Sequence, residues 1–175
     1  GGPTQNFVYA DTKGNIGWYA AGRIPIRRTG SGEVPYDGST NAGEWTGYIP
    51  FAELPNLYNP PSGLIVTANQ RIVVTNYKYP QMSPDGATPW RARRIYDLLK
   101  RAGTASGPLA SGLKISIDDV RDAQHDIYNI PLHAFALNIV KSNAATSPTM
   151  AVLKGWNGTM RADSKAAVLV NEIRT

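Results

Sequence analysis

The sequence predicts an α+β fold, with a strand and ordered-loop half over residues 1–79 and a helical half over residues 90–175. Three observations carry that expectation. Short apolar runs in the first half alternate with Gly, Pro, Asn and Asp turn signals. Apolar residues in the second half recur at intervals of three and four between recognisable caps. No internal repeat is present, and 175 residues are enough to bury roughly 70% of the extended surface without staples. The chain has no cysteine, which excludes disulfides and thiolate metal sites.

The first element is a hairpin over residues 6–22. Apolar runs flank Thr12-Lys13-Gly14-Asn15, and a glycine at such a turn supplies the positive φ that other side chains resist. Pro25 has no N–H to give and is expected to end central-strand pairing. From Thr29 to Gly47 the chain is rich in Gly, Ser, Thr and Asn. Trp45, Tyr48, Phe51, Leu54, Leu57 and Tyr58 then follow, an apolar density that implies a loop packed over a core rather than a free linker. Asn59-Pro60-Pro61-Ser62-Gly63 reads as a rigid turn. It introduces two expected strands, residues 64–68 and 72–74, separated by Asn69-Gln70-Arg71.

Past a proline-bearing loop at residues 80–89 the pattern becomes helical. Ala92, Ile95, Leu98, Leu99 and Ala102 share one face of a helix that starts near Trp90 and stops at Gly103. Ser116-Ile117-Asp118-Asp119 has the form of a capping box. The helix behind it is expected to carry Ile117, Val120, Ala123 and Ile127 inward as far as Pro131, which breaks or kinks it before Leu132, Phe135, Ala136, Ile139 and Val140 resume the period. Ser147 and Pro148 open a short helix that Gly155 closes, with Trp156 folding back on it. Residues 164–174 form a last amphipathic segment with Ala167, Val168, Val170 and Ile173 on its inner face.

Several function classes find little support. Lys and Arg number 18 against 13 acidic residues, a net charge of +5, but they are scattered, and no basic stripe interleaved with aromatics suggests nucleic-acid binding. No apolar run approaches the roughly 20 residues of a membrane span, and no leader is visible at Gly1-Gly2, so the chain as it stands reads as soluble. His125 and His133 are eight positions apart, outside the spacing of a helix-borne zinc site, and no metal site is expected. Asp118, Asp119, Asp122 and Asp126 read as a solvated acidic face. Ser106 and Ser111 lack the elbow of a serine hydrolase.

Three polar residues of the first half have a claim to function. Asn6, at the leading edge of the hairpin, carries an amide NH2 that can be aimed at a developing oxyanion without titrating. Asn69 and Arg71 interrupt the next apolar run. The plainer alternatives are a strand-edge hydrogen bond for Asn6, and a kink in which Arg71 neutralises a neighbouring carboxylate.

The order of motifs goes further. Gln5-Asn6-Phe7-Val8-Tyr9-Ala10-Asp11, then Gly14-Asn15-Ile16-Gly17, then Gly22-Arg23-Ile24-Pro25-Ile26-Arg27-Arg28, continued from Glu44 through Arg71, resemble the middle of the β subunit of the penicillin acylase family of amidohydrolases. The resemblance is close from Asn6 to about Lys100 and loose over the helical remainder. It implies an enzyme whose nucleophile is the hydroxyl or thiol of an exposed N-terminal residue, activated by its own α-amino group. The chain begins Gly1-Gly2-Pro3, and glycine offers no nucleophile, so the resemblance places the active N-terminus and the other subunit elsewhere in a larger enzyme.

Carried over by position, Asn6 matches the side-chain donor of the oxyanion hole, its partner being a backbone N–H outside this chain. Arg27, or its neighbour Arg28, falls near an arginine that some members hold by the substrate; Asn69 and Arg71 stand as further substrate-side candidates. Some members bind calcium through residues this chain lacks, and no ligand is carried over. The resemblance implies a linear acyl amide as substrate, such as an acylated β-lactam nucleus or acyl-homoserine lactone, and a periplasmic or secreted location. The competing expectation is a catalytically silent binding or assembly domain on the same scaffold. An isolated segment with an unpaired strand edge is also expected to self-associate.

Overall fold

The computed structural model describes residues 4–79, 82, 88–104, 115–142 and 147–174. Ser106 and Ser111, most of the 80–89 loop and the first three residues lie outside that set.

Strands β1 (Gln5–Ala10) and β2 (Ile16–Ala21) form the expected hairpin, in antiparallel register from Gln5↔Ala21 to Ala10↔Ile16. Its turn is closed by the Asp11 carboxylate, which accepts the N–H groups of Lys13 and Asn15 at 2.9 Å and the Asn15 amide at 2.7 Å. Gly14 sits at φ +86°, where a side chain is strained. Strand β5 (Asn56–Tyr58) pairs with the other side of β2, so the sheet order is β1-β2-β5 and β2 is central. Asn59 locks that edge: its side chain accepts from Ile16 N at 2.9 Å and donates to Asn15 at 2.8 Å.

Pro25 lies in no central strand. It opens β3 (Pro25–Arg27), which pairs with β4 (Trp45–Tyr48) in a separate two-stranded sheet. A proline is tolerated as the first residue of an edge strand, where no ladder donor is required. Between them the loop wraps Tyr36, whose ring lies so close to Gly30 and Gly43 that a Cβ at either would overlap it. Leu54 is buried as expected, but Trp45, Phe51, Leu57 and Tyr58 are exposed.

The strands expected at 64–68 and 72–74 do not form. The Gln70 side chain takes the Ala68 N–H at 2.7 Å and donates to the Val66 carbonyl at 2.8 Å, capturing groups a neighbouring strand would need. Asn69 then adopts φ +60°, the left-handed region that Asn visits more readily than most residues. Its Oδ1 accepts from Arg91 Nη2 at 2.8 Å, tying this segment to the helical half.

The helices are α1 (Trp90–Thr104), α2 (Ile117–Gln124), α3 (Ile130–Ser142), α4 (Pro148–Lys154) and α5 (Lys165–Arg174). The local signals hold: Ser116 and Asp119 form a reciprocal capping box, and Ser147 accepts from Met150 N ahead of Pro148. The reading of the long second helix does not. Helix α2 stops at Gln124, and Asn129 caps a new helix by accepting from Leu132 N at 3.0 Å. Pro131 thus lies in the first turn of α3, where its missing N–H is no loss. Of the residues assigned inward, Ile117 at 88%, Val120 and Ile127 are exposed, and Ala123 alone is half-buried. On α5 the inner face is Ala166, Ala167 and Val170, and Val168 and Ile173 are exposed.

Two apolar clusters result. Ile24, Ile49, Leu54 and Tyr79 gather in the strand half. Leu132, Ala136, Leu153, Trp156, Ala166, Ala167 and Val170 gather among α3, α4 and α5. Asp126 does not belong to a solvated acidic face. It holds Arg94 through a two-pronged ion pair at 2.6 and 2.8 Å, with the side chains only 22% and 17% exposed, and Arg94 lies over the Tyr128 ring at 4.3 Å.

Arg94 holds the Asp126 carboxyl below its ordinary value, against a smaller opposing effect of burial. A depressed folded-state pKa means the stabilisation is present above the unfolded value and lost as pH falls through the folded one. Asp126→Asn is expected to lower stability by about 1.5–3 kcal/mol near neutral pH, and the gap between variant and wild type in urea unfolding should close as the buffer is acidified. At Asn69 two effects separate. Asn69→Gly keeps the left-handed backbone and loses the Arg91 bond, about 1 kcal/mol; Asn69→Ala should lose about 1 kcal/mol more from backbone strain, which the same unfolding comparison reads.

Candidate functional site

Asn6 is the one half-buried residue of β1, the others being exposed. Strand alternation puts Asn6, Val8, Trp18, Ala20 and Leu57 on one face of the sheet, because Asn6 pairs with Ala20, Val8 with Trp18, and Trp18 with Leu57. On that face the Trp18 indole Nε1 donates to Asn6 Oδ1 at 2.9 Å. An indole N–H is a donor only, so the amide oxygen is taken. The NH2 group has no hydrogen-bond partner among the described residues. Asn6 therefore presents a free amide NH2 at the leading edge of the hairpin.

Trp18 was not among the residues singled out from the sequence. Its signal was available in the register: once Gly14 closes the turn and Asn6 faces Ala20, residue 18 lies diagonally across from Asn6 on the same face. Trp18 is 6% exposed. It is covered by Leu57 and by the irregular segment 64–72, and a cleft of about 170 Å³ between them is lined by Trp18, Leu57, Leu64, Val66, Arg71 and Ile72.

Arg71 reaches this cleft, so the structure places it near the residue that holds Asn6. It is exposed, and no carboxylate partners it among the described residues. Asn69 stands two positions earlier with its oxygen committed to Arg91. The kink expected there is present, but the cation that meets it is Arg91 rather than Arg71. Arg27 lies in the other sheet, its guanidinium 5.8 Å from the Trp45 ring centre and pressed against Gly32. No hydrogen bond or ring contact joins it to Asn6. Arg28 is exposed, its backbone N–H bonded to Glu44 O at 2.9 Å.

The opposite face of the sheet carries Phe7, Tyr9, Tyr19 and Tyr58 around Gly17, over which the Tyr9 ring lies directly. Phe7, Tyr9 and Tyr58 are 59%, 49% and 62% exposed. Phe51 stacks on Tyr19 at 4.7 Å and extends the patch.

A larger cleft of about 650 Å³ lies between α1 and the α2–α3 junction, lined among others by Trp90, Arg91, Arg94, Tyr128 and Arg174. It contains none of the four sequence candidates, and two of its cations are engaged, Arg94 by Asp126 and Arg91 by Asn69. Among the described residues no three His, Asp or Glu side chains gather closely enough to hold a metal ion. Among the described residues no helix is long and apolar enough to cross a membrane.

Comparison with known proteins gives this geometry its context. A sequence profile of the penicillin amidase family matches residues 1–175. The penicillin acylase 2 proenzyme of Pseudomonas sp. (strain SE83) is 30% identical over 170 residues, covering 97% of this chain and 21% of that protein. The acyl-homoserine lactone acylase QuiP of Pseudomonas fluorescens is 41% identical over 93 residues, covering 53% of this chain and 11% of that one. Among solved structures, the thermostable penicillin G acylase from Alcaligenes faecalis shares the fold, with a TM-score of 0.61 at 19% identity over 90% of this chain and 28% of its own. The chain thus spans about a fifth of the length of the first of these relatives. A profile match over the full given length settles the family, and the chain belongs to the penicillin amidases.

Proposed function

We propose that this chain is a segment of an amidohydrolase that cleaves a linear amide between an acyl group and an amine, with Asn6 as the side-chain donor of its oxyanion hole. The observation that carries the reading is the state of the Asn6 amide: its oxygen is occupied by Trp18 and its NH2 is unpartnered. Attack on the amide carbon pushes the carbonyl electrons onto oxygen. A donor fixed where that charge develops stabilises the transition state more than the ground state.

In this reading the nucleophile, an N-terminal hydroxyl or thiol with its own amine as base, comes from elsewhere in the enzyme, as does a second, backbone donor. The relatives' length supports that division, since this segment spans 21% of one of them. The substrate class is an acylated β-lactam nucleus or acyl-homoserine lactone, the two kinds of amide that the relatives' names indicate. Arg71, with an uncommitted guanidinium beside the Trp18 cleft, is better placed than Arg27 to meet a substrate's anionic group. The working environment proposed is periplasmic or secreted. Calcium remains possible in the complete enzyme, and no residue of this segment is assigned to it.

Three outcomes are expected. The isolated chain should not turn over a chromogenic phenylacetyl or fatty-acyl amide once host acylase is excluded. Its exposed aromatic face and free β1 edge should make it self-associate; a clean monomer across a wide concentration range in light scattering, with no binding of an apolar dye, would count against this. In the complete enzyme Asn6→Ala should reduce kcat by about 10²- to 10³-fold, roughly 2.7–4 kcal/mol of transition-state stabilisation, and change KM little. A variant that matures normally and keeps wild-type kcat would remove Asn6 from the mechanism and leave the chain an assembly role.

A further inference from the structure

We infer that Trp18 is the positioning residue that makes Asn6 a donor, acting through its indole N–H on the Asn6 amide; the inference rests on the reading of Asn6 as an oxyanion ligand. The physical problem is the symmetry of a primary amide. Its oxygen and its NH2 are nearly the same size, so rotation by half a turn exchanges a group that stabilises an oxyanion for one that repels it. A free Asn at a strand edge populates both orientations, and only one of them is useful.

Trp18 breaks that degeneracy because its N–H can donate and cannot accept. The 2.9 Å bond is available only when Oδ1 faces the indole, and that orientation leaves Nδ2 as the free end of the amide. The ring making the choice is itself immobilised. Trp18 is 6% exposed, on the strand that pairs on both sides, beneath Leu57 and the 64–72 segment. The residue directly opposite Asn6 is Ala20, 2% exposed. Its methyl group offers the amide no competing hydrogen bond, so Trp18 is the side-chain partner that decides the orientation. A Tyr or His at position 18 would lack this property, since each can accept as well as donate.

The role differs from that of a core tryptophan in one measurable respect. If Trp18 only packs, deleting its N–H leaves catalysis intact, and any effect of a cruder substitution adds to that of losing Asn6. If it orients the amide, its effect on kcat requires Asn6. The test uses the complete enzyme carrying Trp18→Phe, or at position 18 the tryptophan analogue benzothienylalanine, which replaces the indole N–H by sulfur at nearly constant shape and so keeps the test alive where the phenylalanine variant does not mature. Each is made with Asn6 present and with Asn6→Ala, and kcat and KM are measured on a chromogenic acyl amide.

The expected result is a fall in kcat of about tenfold with either replacement, equivalent to one hydrogen bond's net worth, with KM little changed and no further loss in the Asn6→Ala background. Wild-type kcat in the benzothienylalanine enzyme, or an undiminished effect in the Asn6→Ala background, would overturn the inference while leaving Asn6 in place. Wild-type kcat for Asn6→Ala alone would remove the reading on which it rests.

Discussion

The strand half of this chain depends on β2 being paired on both sides. A central strand has both its backbone edges satisfied and both its faces available for packing, and β2 is the strand whose residues are largely buried while β1 and β5 remain exposed. That asymmetry decides where a rigid side chain can stand. Trp18, on β2, has a fixed backbone and a covered ring, and it lends that rigidity to Asn6 on the exposed strand beside it. An edge strand has little packing of its own with which to hold a side chain to the tolerance a transition state demands. In the role proposed for Asn6 that tolerance is borrowed across the ladder through one hydrogen bond.

The two faces of the same sheet have opposite characters. Behind Trp18 the chain supplies its own cover from residues 64–72, whereas the Phe7, Tyr9 and Tyr58 face is left bare. A contiguous exposed aromatic surface of this kind marks contact with something else. For a segment about one fifth the length of a relative it matches almost throughout, the proposed occupant is the remainder of the enzyme. In that arrangement the tyrosine and phenylalanine rings would become core, and the division of this sheet into an inner and an outer face would disappear.

What was legible in the sequence was whatever is decided within a few residues. Gly14 marks the turn, Ser116 and Asp119 the start of α2, Ser147, Pro148 and Gly155 the two ends of α4. Misreadings arose where a distant or unexpected partner decides. Residues 64–68 have strand composition, but the Gln70 side chain satisfies their backbone locally and Arg91 stabilises the turn at Asn69. The helix expected to run to Pro131 ends early because Asp126 engages Arg94, 32 positions away, and Asn129 offers a better start for α3. Of the candidate site, motif order pointed to Asn6, whereas Trp18 required the register, which the hairpin turn implied but which apolar patterning alone reads as ordinary core.

The bond between Arg91 and Asn69 has a mechanical meaning beyond the kink it secures. The two apolar clusters draw their members from separate halves of the chain, and this exposed polar contact reaches from one half to the other. A shared apolar interior makes two regions melt as one, because opening either exposes the other, whereas a solvent-accessible hydrogen bond transmits little of that penalty. Halves tied in this way are expected to behave as separate cooperative units, each able to open and reclose without the other. In amide exchange the protected positions of β2 and those of α3 and α5 would fall into classes with different opening free energies, and a denaturation curve followed at Trp18 need not coincide with one followed at Trp156.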